Sequence, residues 1–289
     1  MKVCEKNFPM GSFKGQKSPG FYMEGYLKAN LDILAKKIAD DQMFVILITG
    51  SGKVRIGKSV LAQQVGKYLS DKINEFHKVK TSFTIKNITF KGDELQKKAF
   101  ELPKYSVLDL DEGDDLVEHY WSKLARDLRR FFRKAGQLNQ FVILVLPDFF
   151  ELPKAYAITR STCLINVRFV GEFERGYFRF YNFERKKKLY LKGKKYADYS
   201  AVTSNFNGKF ANVYTVPEQE YRTKKEKDLQ EAEEKEVKTP NQIIKETKID
   251  CFKKVYANIQ IKLKDLAVIF GISNKTGYNW VNDVKNEKE

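Results

Sequence analysis

Short apolar runs that alternate with helical patterns constrain the fold of this chain more than any other feature. The four runs span residues 44–49, 105–112, 141–147 and 161–170. Segments in which apolar residues recur at helical spacing span residues 26–40, 59–73 and 121–136. Each apolar run has a length typical of a strand that is covered on both faces, as in a parallel sheet. We therefore predict an α/β fold, a three-layer sandwich whose mostly parallel sheet lies between helices.

Charge and composition narrow the function classes. The chain carries 53 Lys and Arg against 37 Asp and Glu, a formal net charge of +16. Such an excess favours a polyanionic partner, of which nucleic acid is the first candidate, and a solvated lysine-rich surface is the alternative. The hydrophobic fraction of 42% is enough for a packed core, which argues against a disordered chain.

Cysteine usage and hydropathy bear on location. Cys4, Cys163 and Cys251 lie far apart and form no disulfide framework, which fits a reducing compartment. The opening stretch MKVCEKNFPMGSFKGQ lacks the apolar region of a signal peptide. The apolar runs are too short to cross a bilayer. We expect a soluble protein of the cytoplasm, without a membrane span.

A phosphate-binding motif follows the first apolar run. Residues 52–59, GKVRIGKS, match G-x-x-x-x-G-K-[ST] between a predicted strand and a predicted helix, the context that the motif requires. In such a loop the backbone N–H groups and the lysine hold phosphates, and the hydroxyl ligates Mg²⁺. The predicted nucleotide contacts are Gly52, Gly57, Lys58, Ser59 and Val60. A coincidental turn is the alternative, and bulky Arg55 and Ile56 depart from the small residues common before the second glycine.

Acidic residues close the second apolar run. Asp111 is predicted as the carboxylate on the Mg²⁺ side, because ligands bind at the carboxyl ends of parallel strands. Glu112 is predicted to polarise the attacking water, and Asp109 competes with Asp111 for the metal role. The adjacent Asp-Glu pair is typical of P-loop ATPases with a catalytic glutamate. An acidic loop that merely caps a strand is the alternative.

Polar and basic residues near the third and fourth apolar runs are candidates for a γ-phosphate sensor and an arginine finger. A sensor of the γ-phosphate is predicted beside the third run, at Asp148 after it or at Asn139 or Gln140 before it. An arginine finger is predicted at Arg160, before the fourth run, from where it would reach a neighbouring subunit's nucleotide. Other candidates for this role are Arg129, Arg130 and Arg133, for which a solvated helix face is the alternative.

The chain changes character after the fourth run. We predict a P-loop domain over residues 1–216, in which 171–216 form a basic, β-rich extension with a turn near 185–188. Mixed charges over 217–240 predict a solvated helical linker. Residues 241–289 then form a small all-α domain.

This last segment has the pattern of a helix-turn-helix. An apolar face is followed by Gly271, by Ser273 as a helix cap and by a second helix from about Asn274. Gly277 departs from the β-branched residue more usual at its position. The predicted DNA-facing residues are Asn274, Lys275, Thr276, Tyr278 and Asn279. A helical bundle that contacts proteins is the alternative.

Residues 21–216 resemble P-loop ATPases of viruses and mobile genetic elements, of the FtsK/HerA or zonula-occludens-toxin-like branch. The stretches that carry the resemblance are FYMEGYLKANLDIL, the 52–59 loop, LDLDEGDDL and QLNQFVILVLPDFFELPKAYAITRSTCLINVRF. The resemblance implies that Lys58 and Ser59 contact ATP, that Asp111 serves the Mg²⁺ ion and that Glu112 is catalytic. It also implies a duplex DNA partner and a ring-shaped homo-oligomer. The C-terminal segment resembles helix-turn-helix domains of resolvases and transposase helpers.

These features together predict an ATP-hydrolysing protein that translocates, transfers or packages the DNA of a virus or mobile element. An ATP-gated DNA-binding switch for partition, replication or transcription, with slow hydrolysis, is the second hypothesis. A small-molecule P-loop kinase is the third hypothesis, and the Asp-Glu pair and the C-terminal segment argue against it.

Overall fold

The computed structural model describes residues 21–50, 55–111, 131, 136–234, 240–259 and 261–282. These residues belong to two compact units, divided between Leu229 and Gln230. None of the helices in the described ranges is both long and apolar enough to cross a bilayer.

A mixed sheet forms the centre of the first unit. Its strands among the described residues are β1 (Phe44–Thr49), β2 (Ile88–Thr89), β3 (Val107–Asp111), β4 (Phe141–Leu146), β5 (Cys163–Val170), β6 (Glu174–Tyr181) and β7 (Phe206–Lys209). Their order across the sheet is β2-β3-β4-β1-β5-β6-β7. The first five strands are parallel, and β6 and β7 run antiparallel to their neighbours. The predicted α/β class and mostly parallel sheet are confirmed, and each of the four apolar runs forms a strand.

Helices cover both faces of this sheet. They are α1 (Gly25–Lys37), α2 (Lys58–His77), α3 (Gly92–Glu101) and α4 (Phe183–Gly193), with a π-helical turn at Ala155–Arg160. Side chains alternate along β1, so that Ile46 and Ile48 pack in the core with α1 and α2. Val45 and Leu47 pack in the opposite core with α3 and α4. Burial on both faces explains why each central strand is a continuous apolar run.

The basic turn predicted at 185–188 is wrong, because these residues lie inside α4. Asn182 caps the helix by accepting a hydrogen bond from the Arg185 amide at 3.0 Å. Lys186, Leu189 and Tyr190 then share the buried side at helical spacing. The sequence pattern misled because a lysine occupies one of the buried positions of the helix.

Residues 211–217, which we call the strap, lead into the next helix, α5 (Glu218–Glu234). The strap is hydrogen-bonded to α2. The Gln64 amide donates to the carbonyl oxygens of Ala211 at 2.7 Å and Val213 at 2.8 Å. The Thr215 hydroxyl donates to the Gln63 carbonyl at 2.9 Å. The segment predicted as a solvated helical linker over 217–240 is helical over Glu218–Glu234, but Tyr221 near its beginning is buried. Residues 235–239 lie outside the described residues.

After the end of α5, the described residues of the second unit form α6 (Pro240–Asn258), α7 (Leu263–Ile269) and α8 (Asn274–Asn282). Phe252 of α6 is fully buried, with its ring 5.2 Å from that of Phe270 and 5.5 Å from that of Trp280. A Cβ at Gly277 would lie 3.1 Å from Cζ of Phe252, so the glycine lets α8 approach α6 closely. Ser273 caps α8 as expected, accepting from the Thr276 amide at 3.1 Å.

Candidate functional site

The site is built where the carboxyl end of β1 leads to the amino end of α2. Gly57 precedes the first helical residue and has φ of 98° and ψ of 18°. A Cβ at this position would lie 3.0 Å from Cζ of Phe210, so both backbone conformation and packing favour glycine. No side chain caps the helix, and its first N–H groups can therefore meet an anion. The predicted Gly52 lies outside the described residues.

The two bulky residues before Gly57 lie in different environments. Arg55 has a positive φ of 55° and is exposed. Ile56 is buried in the core that includes α1 and α2. Val60 is also buried there, and its contact with a nucleotide stays a prediction. Lys58 begins α2 and is half-buried.

Ser59 and Asp111 meet at this edge of the sheet. The Ser59 hydroxyl donates to Oδ1 of Asp111 at 3.2 Å, across 52 residues of chain. Asp111 is the last residue of β3, and β4 lies between β3 and β1. A hydroxyl and a carboxylate are hard oxygen ligands of the kind that Mg²⁺ prefers, and this pair fits that ion. Glu112 lies outside the described residues, and its catalytic role stays a prediction.

Asp109, the rival of Asp111, has a different environment. Both carboxylates lie on the same side of β3 and are buried, but neither oxygen of Asp109 has a hydrogen-bond partner among the described residues. Burial, and secondarily the charge of Asp111, raise the pKa of Asp109 well above its usual value. The contact with Ser59 therefore favours Asp111 as the metal-side acid.

Tyr221 is a member of the site that the sequence analysis missed. Its hydroxyl, at the start of α5, donates to Oδ2 of Asp111 across 110 residues of chain. Its ring packs 5.6 Å from that of Phe90 and 5.8 Å from that of Tyr214. Burial and the charge of Asp111 raise the pKa of Tyr221, so the phenol stays protonated and donates. The only sequence signal was one aromatic residue in a highly charged segment.

The sensor candidates lie at opposite edges of the sheet. Asp148 follows β4 at the same edge as Ser59, and its Oδ1 accepts from the Tyr199 hydroxyl at 2.9 Å. Oγ1 of Thr49, at the end of β1, lies 3.5 Å from the same hydroxyl. Asn139 and Gln140 precede β4, at the other edge, where the Gln140 amide donates to the Ala99 carbonyl at 2.9 Å. Of the three candidates, the structure places only Asp148 at the edge that carries Ser59.

Arg160 is not part of this chain's own site. It is exposed and lies three residues before β5, which runs parallel to β1. It therefore lies at the amino edge, one strand length or about 20 Å from the carboxyl edge. Action in trans, on a neighbouring subunit, stays a prediction. The other arginine candidates, Arg129, Arg130 and Arg133, lie outside the described residues.

The predicted DNA-facing residues lie on α8. Asn274, Lys275, Tyr278 and Asn279 are exposed. Thr276 is half-buried, and its hydroxyl lies 2.7 Å from that of Ser273. One surface of the second unit therefore presents amide, phenol and ammonium groups to solvent.

The comparisons with known proteins add no relative: no family model, no curated protein and no solved structure matches this chain. The function is therefore argued from the geometry of the site.

Proposed function

We propose that this chain is a P-loop ATPase that binds and hydrolyses ATP with Mg²⁺ in association with duplex DNA. The observation that carries the proposal is the contact between Ser59 and Asp111 beside an uncapped, glycine-preceded helix end. A helix N-terminus offers N–H donors and a positive partial charge to phosphate. The motif spacing adds Lys58 at the same helix end.

Each residue has a defined task in this mechanism. The N–H groups at the start of α2 and the Lys58 ammonium hold the β- and γ-phosphates. Ser59 and Asp111 would hold Mg²⁺, which supplies charge neutralisation on the phosphate oxygens when bound. Glu112 accepts a proton from the water that attacks the γ-phosphorus, and ADP leaves with the bridging oxygen. Asp148 would act as the sensor of the γ-phosphate from the end of β4, the strand between β1 and β3.

The DNA part of the proposal rests on charge and on the second unit. The chain has a net charge of +16, and α8 exposes polar and basic side chains after a turn in which Gly271 has a φ of 60°. A helix, a glycine turn and a polar second helix are the parts of a helix-turn-helix DNA reader. We infer a translocation, transfer or packaging role in a virus or mobile element, in the host cytoplasm, with a ring-shaped homo-oligomer.

The test is ATP hydrolysis with and without duplex DNA, on the wild type, Glu112→Gln and Lys58→Ala. We expect DNA to stimulate the wild type. Glu112→Gln should bind ATP yet lose at least about 100-fold in turnover, the scale of general-base loss. Lys58→Ala should lose ATP binding.

Two other outcomes would redirect the proposal. Slow, unstimulated hydrolysis with ATP-dependent DNA binding would replace the motor with a switch. A wild-type chain that binds no nucleotide would overturn the ATPase itself.

A further inference from the structure

A stripe of exposed lysines runs along the outer side of α4 and the helical turn that follows it. We call it the α4 lysine face, formed by Lys187, Lys188, Lys192 and Lys195. All four are exposed, and the separations of four to eight residues between the first pair and the later two place them on one side of the helix. They extend over about 12 Å, eight residues at the helical rise. Lys186, which precedes the stripe in sequence, points into the protein and is fully buried.

The α4 lysine face differs from the other helical surfaces of the first unit. On α1 and α2, lysines pair with an acid about one turn away, as Lys28 does with Asp32 at 2.8 Å and Lys67 with Asp71 at 2.7 Å. Within the described part of the chain, no lysine of the α4 face forms an ion pair. Glu184, at the start of the same helix, is the one acid of α4. These ion pairs neutralise part of the surface charge of α1 and α2, whereas the α4 lysine face leaves its charge open to a partner.

The chain that follows α4 leads directly to the candidate site. Four residues after Lys195, the Tyr199 hydroxyl donates to Asp148 and accepts from the Phe149 amide at 2.8 Å. The Tyr199 carbonyl accepts from the Tyr181 hydroxyl at 2.8 Å, which fixes the backbone at this point. A connection of only four residues, ending at the buried Tyr199, therefore joins the α4 lysine face to the carboxyl edge of the sheet.

We propose that the α4 lysine face binds the sugar–phosphate backbone of duplex DNA on the ATPase unit itself. This deepens the proposed function and rests on it for the choice of DNA as the partner. A duplex carries one charge per about 1.7 Å of axis, so the 12 Å face spans roughly seven phosphate charges. Lysine ammonium groups contact phosphate without reading bases, and the contact is therefore independent of sequence.

The experiment compares two full-length variants that each lose four positive charges. The test variant combines Lys187→Gln, Lys188→Gln, Lys192→Gln and Lys195→Gln. The matched control removes exposed lysines elsewhere on the first unit, combining Lys37→Gln, Lys80→Gln, Lys97→Gln and Lys104→Gln. Binding to a fluorescein-labelled duplex of random sequence is measured over a salt series by anisotropy. ATP binding and basal hydrolysis without DNA are measured on the same preparations.

The salt dependence gives the decisive result. Removing one lysine–phosphate interaction lowers the slope of log Kobs against log salt by about 0.9, so the slope of the test variant should fall by up to roughly 3.6. The control should keep the wild-type slope, and the test variant should keep basal hydrolysis but lose stimulation by DNA. Because the second unit is intact in all three proteins, its own DNA contacts cancel in the comparison.

Two outcomes would overturn the inference, and a third would separate it from the proposed ATPase. Equal slopes for the test and control variants would show that the face is merely solvated, and normal ATP binding would leave the proposed ATPase standing. A reduced slope in a chain that binds no ATP would preserve the DNA face and refute the ATPase. If the test variant instead lost binding to phosphatidylserine vesicles while its DNA slope stayed unchanged, the partner would be a membrane surface and the inference would be wrong.

Discussion

The two edges of the parallel strands carry similar polar residues and use them differently. At the carboxyl edge, Ser59 contacts Asp111, and Asp148, which follows β4 at the same edge, contacts Tyr199. At the amino edge, Gln140 and Lys186 donate to nearby carbonyl groups of the same unit. In parallel strands all carboxyl ends lie on one side, with helix N-termini beside them, and this asymmetry favours ligand binding at that edge.

The amino edge shows how a buried charge can serve stability alone. The Lys186 ammonium donates to the carbonyls of Ala157 at 2.7 Å, Ile158 at 3.0 Å and Ser161 at 2.8 Å, and to the Ser161 hydroxyl at 2.7 Å. Burial lowers its pKa to about 8, so it is still mostly protonated at pH 7. These bonds join α4 to the chain entering β5.

The largest effect, a loss of Mg²⁺ affinity, is expected from a substitution of Asp111 at the carboxyl edge. Asp111→Asn keeps the shape but removes the charge, and we expect the Mg²⁺ affinity of the ATP-bound protein to fall about 10–100-fold. Magnesium titration of bound fluorescent ATP analogue measures this change. Asp109→Asn is the matched control, two residues earlier on the same strand, and should leave the Mg²⁺ affinity within about twofold of wild type, since Asp109 does not contact Ser59.

The Asp109→Asn control should also change how the stability of the protein depends on pH. Because the folded pKa of Asp109 is raised, its contribution to stability is complete below the unfolded pKa of about 3.9 and is lost as pH rises. Asp109→Asn should therefore be more stable than wild type at pH 7, and the difference should vanish near pH 4. Equal losses of Mg²⁺ affinity in both variants would contradict the assignment of Asp111.

At the amino edge, Lys186→Met should act on stability without acting on the site. The methionine fills similar volume but leaves four acceptors without their donor, and the free energy of unfolding should fall by about 2 kcal/mol. Urea denaturation measures it, and the ATP affinity of the folded fraction should stay at the wild-type value. Lys187 is the next residue and is exposed, so Lys187→Met serves as the control. It should change the free energy of unfolding by less than about 0.5 kcal/mol. A specific loss of ATP affinity in Lys186→Met would contradict the division between edges.

The smallest effect is expected at Tyr221, which joins α5 to the carboxyl edge. Tyr221→Phe removes one hydrogen bond to Asp111, and the Mg²⁺ affinity of the ATP-bound protein should fall roughly fivefold, about 1 kcal/mol. Tyr214→Phe is the control, because this half-buried ring contacts Tyr221 without a hydrogen bond to Asp111. Titration with Mg²⁺ after saturation with nucleotide measures the Mg²⁺ affinity of each variant. An effect of equal size in both variants would assign Tyr221 a packing role only.

The strands were predictable because their signal is local. A run such as 141–147 is apolar along its whole length, and burial on both faces requires that pattern whatever its neighbours are. β2 escaped prediction because it has only two residues and its partner β3 lies about 20 residues away. The interpretation of 185–188 failed because a lysine is buried only where carbonyl groups from another segment surround it.

The sequence by itself determined which residues could form strands, where a glycine-containing loop and the helix after it would lie, and that acids would close β3. These properties depend on residues close together in the chain. Only the tertiary structure decided that Asp111 rather than Asp109 contacts Ser59, that Arg160 lies at the far edge and that Tyr221 joins the site. Strand order, sheet edge and strap position arise from packing between segments tens of residues apart, and no local pattern encodes them.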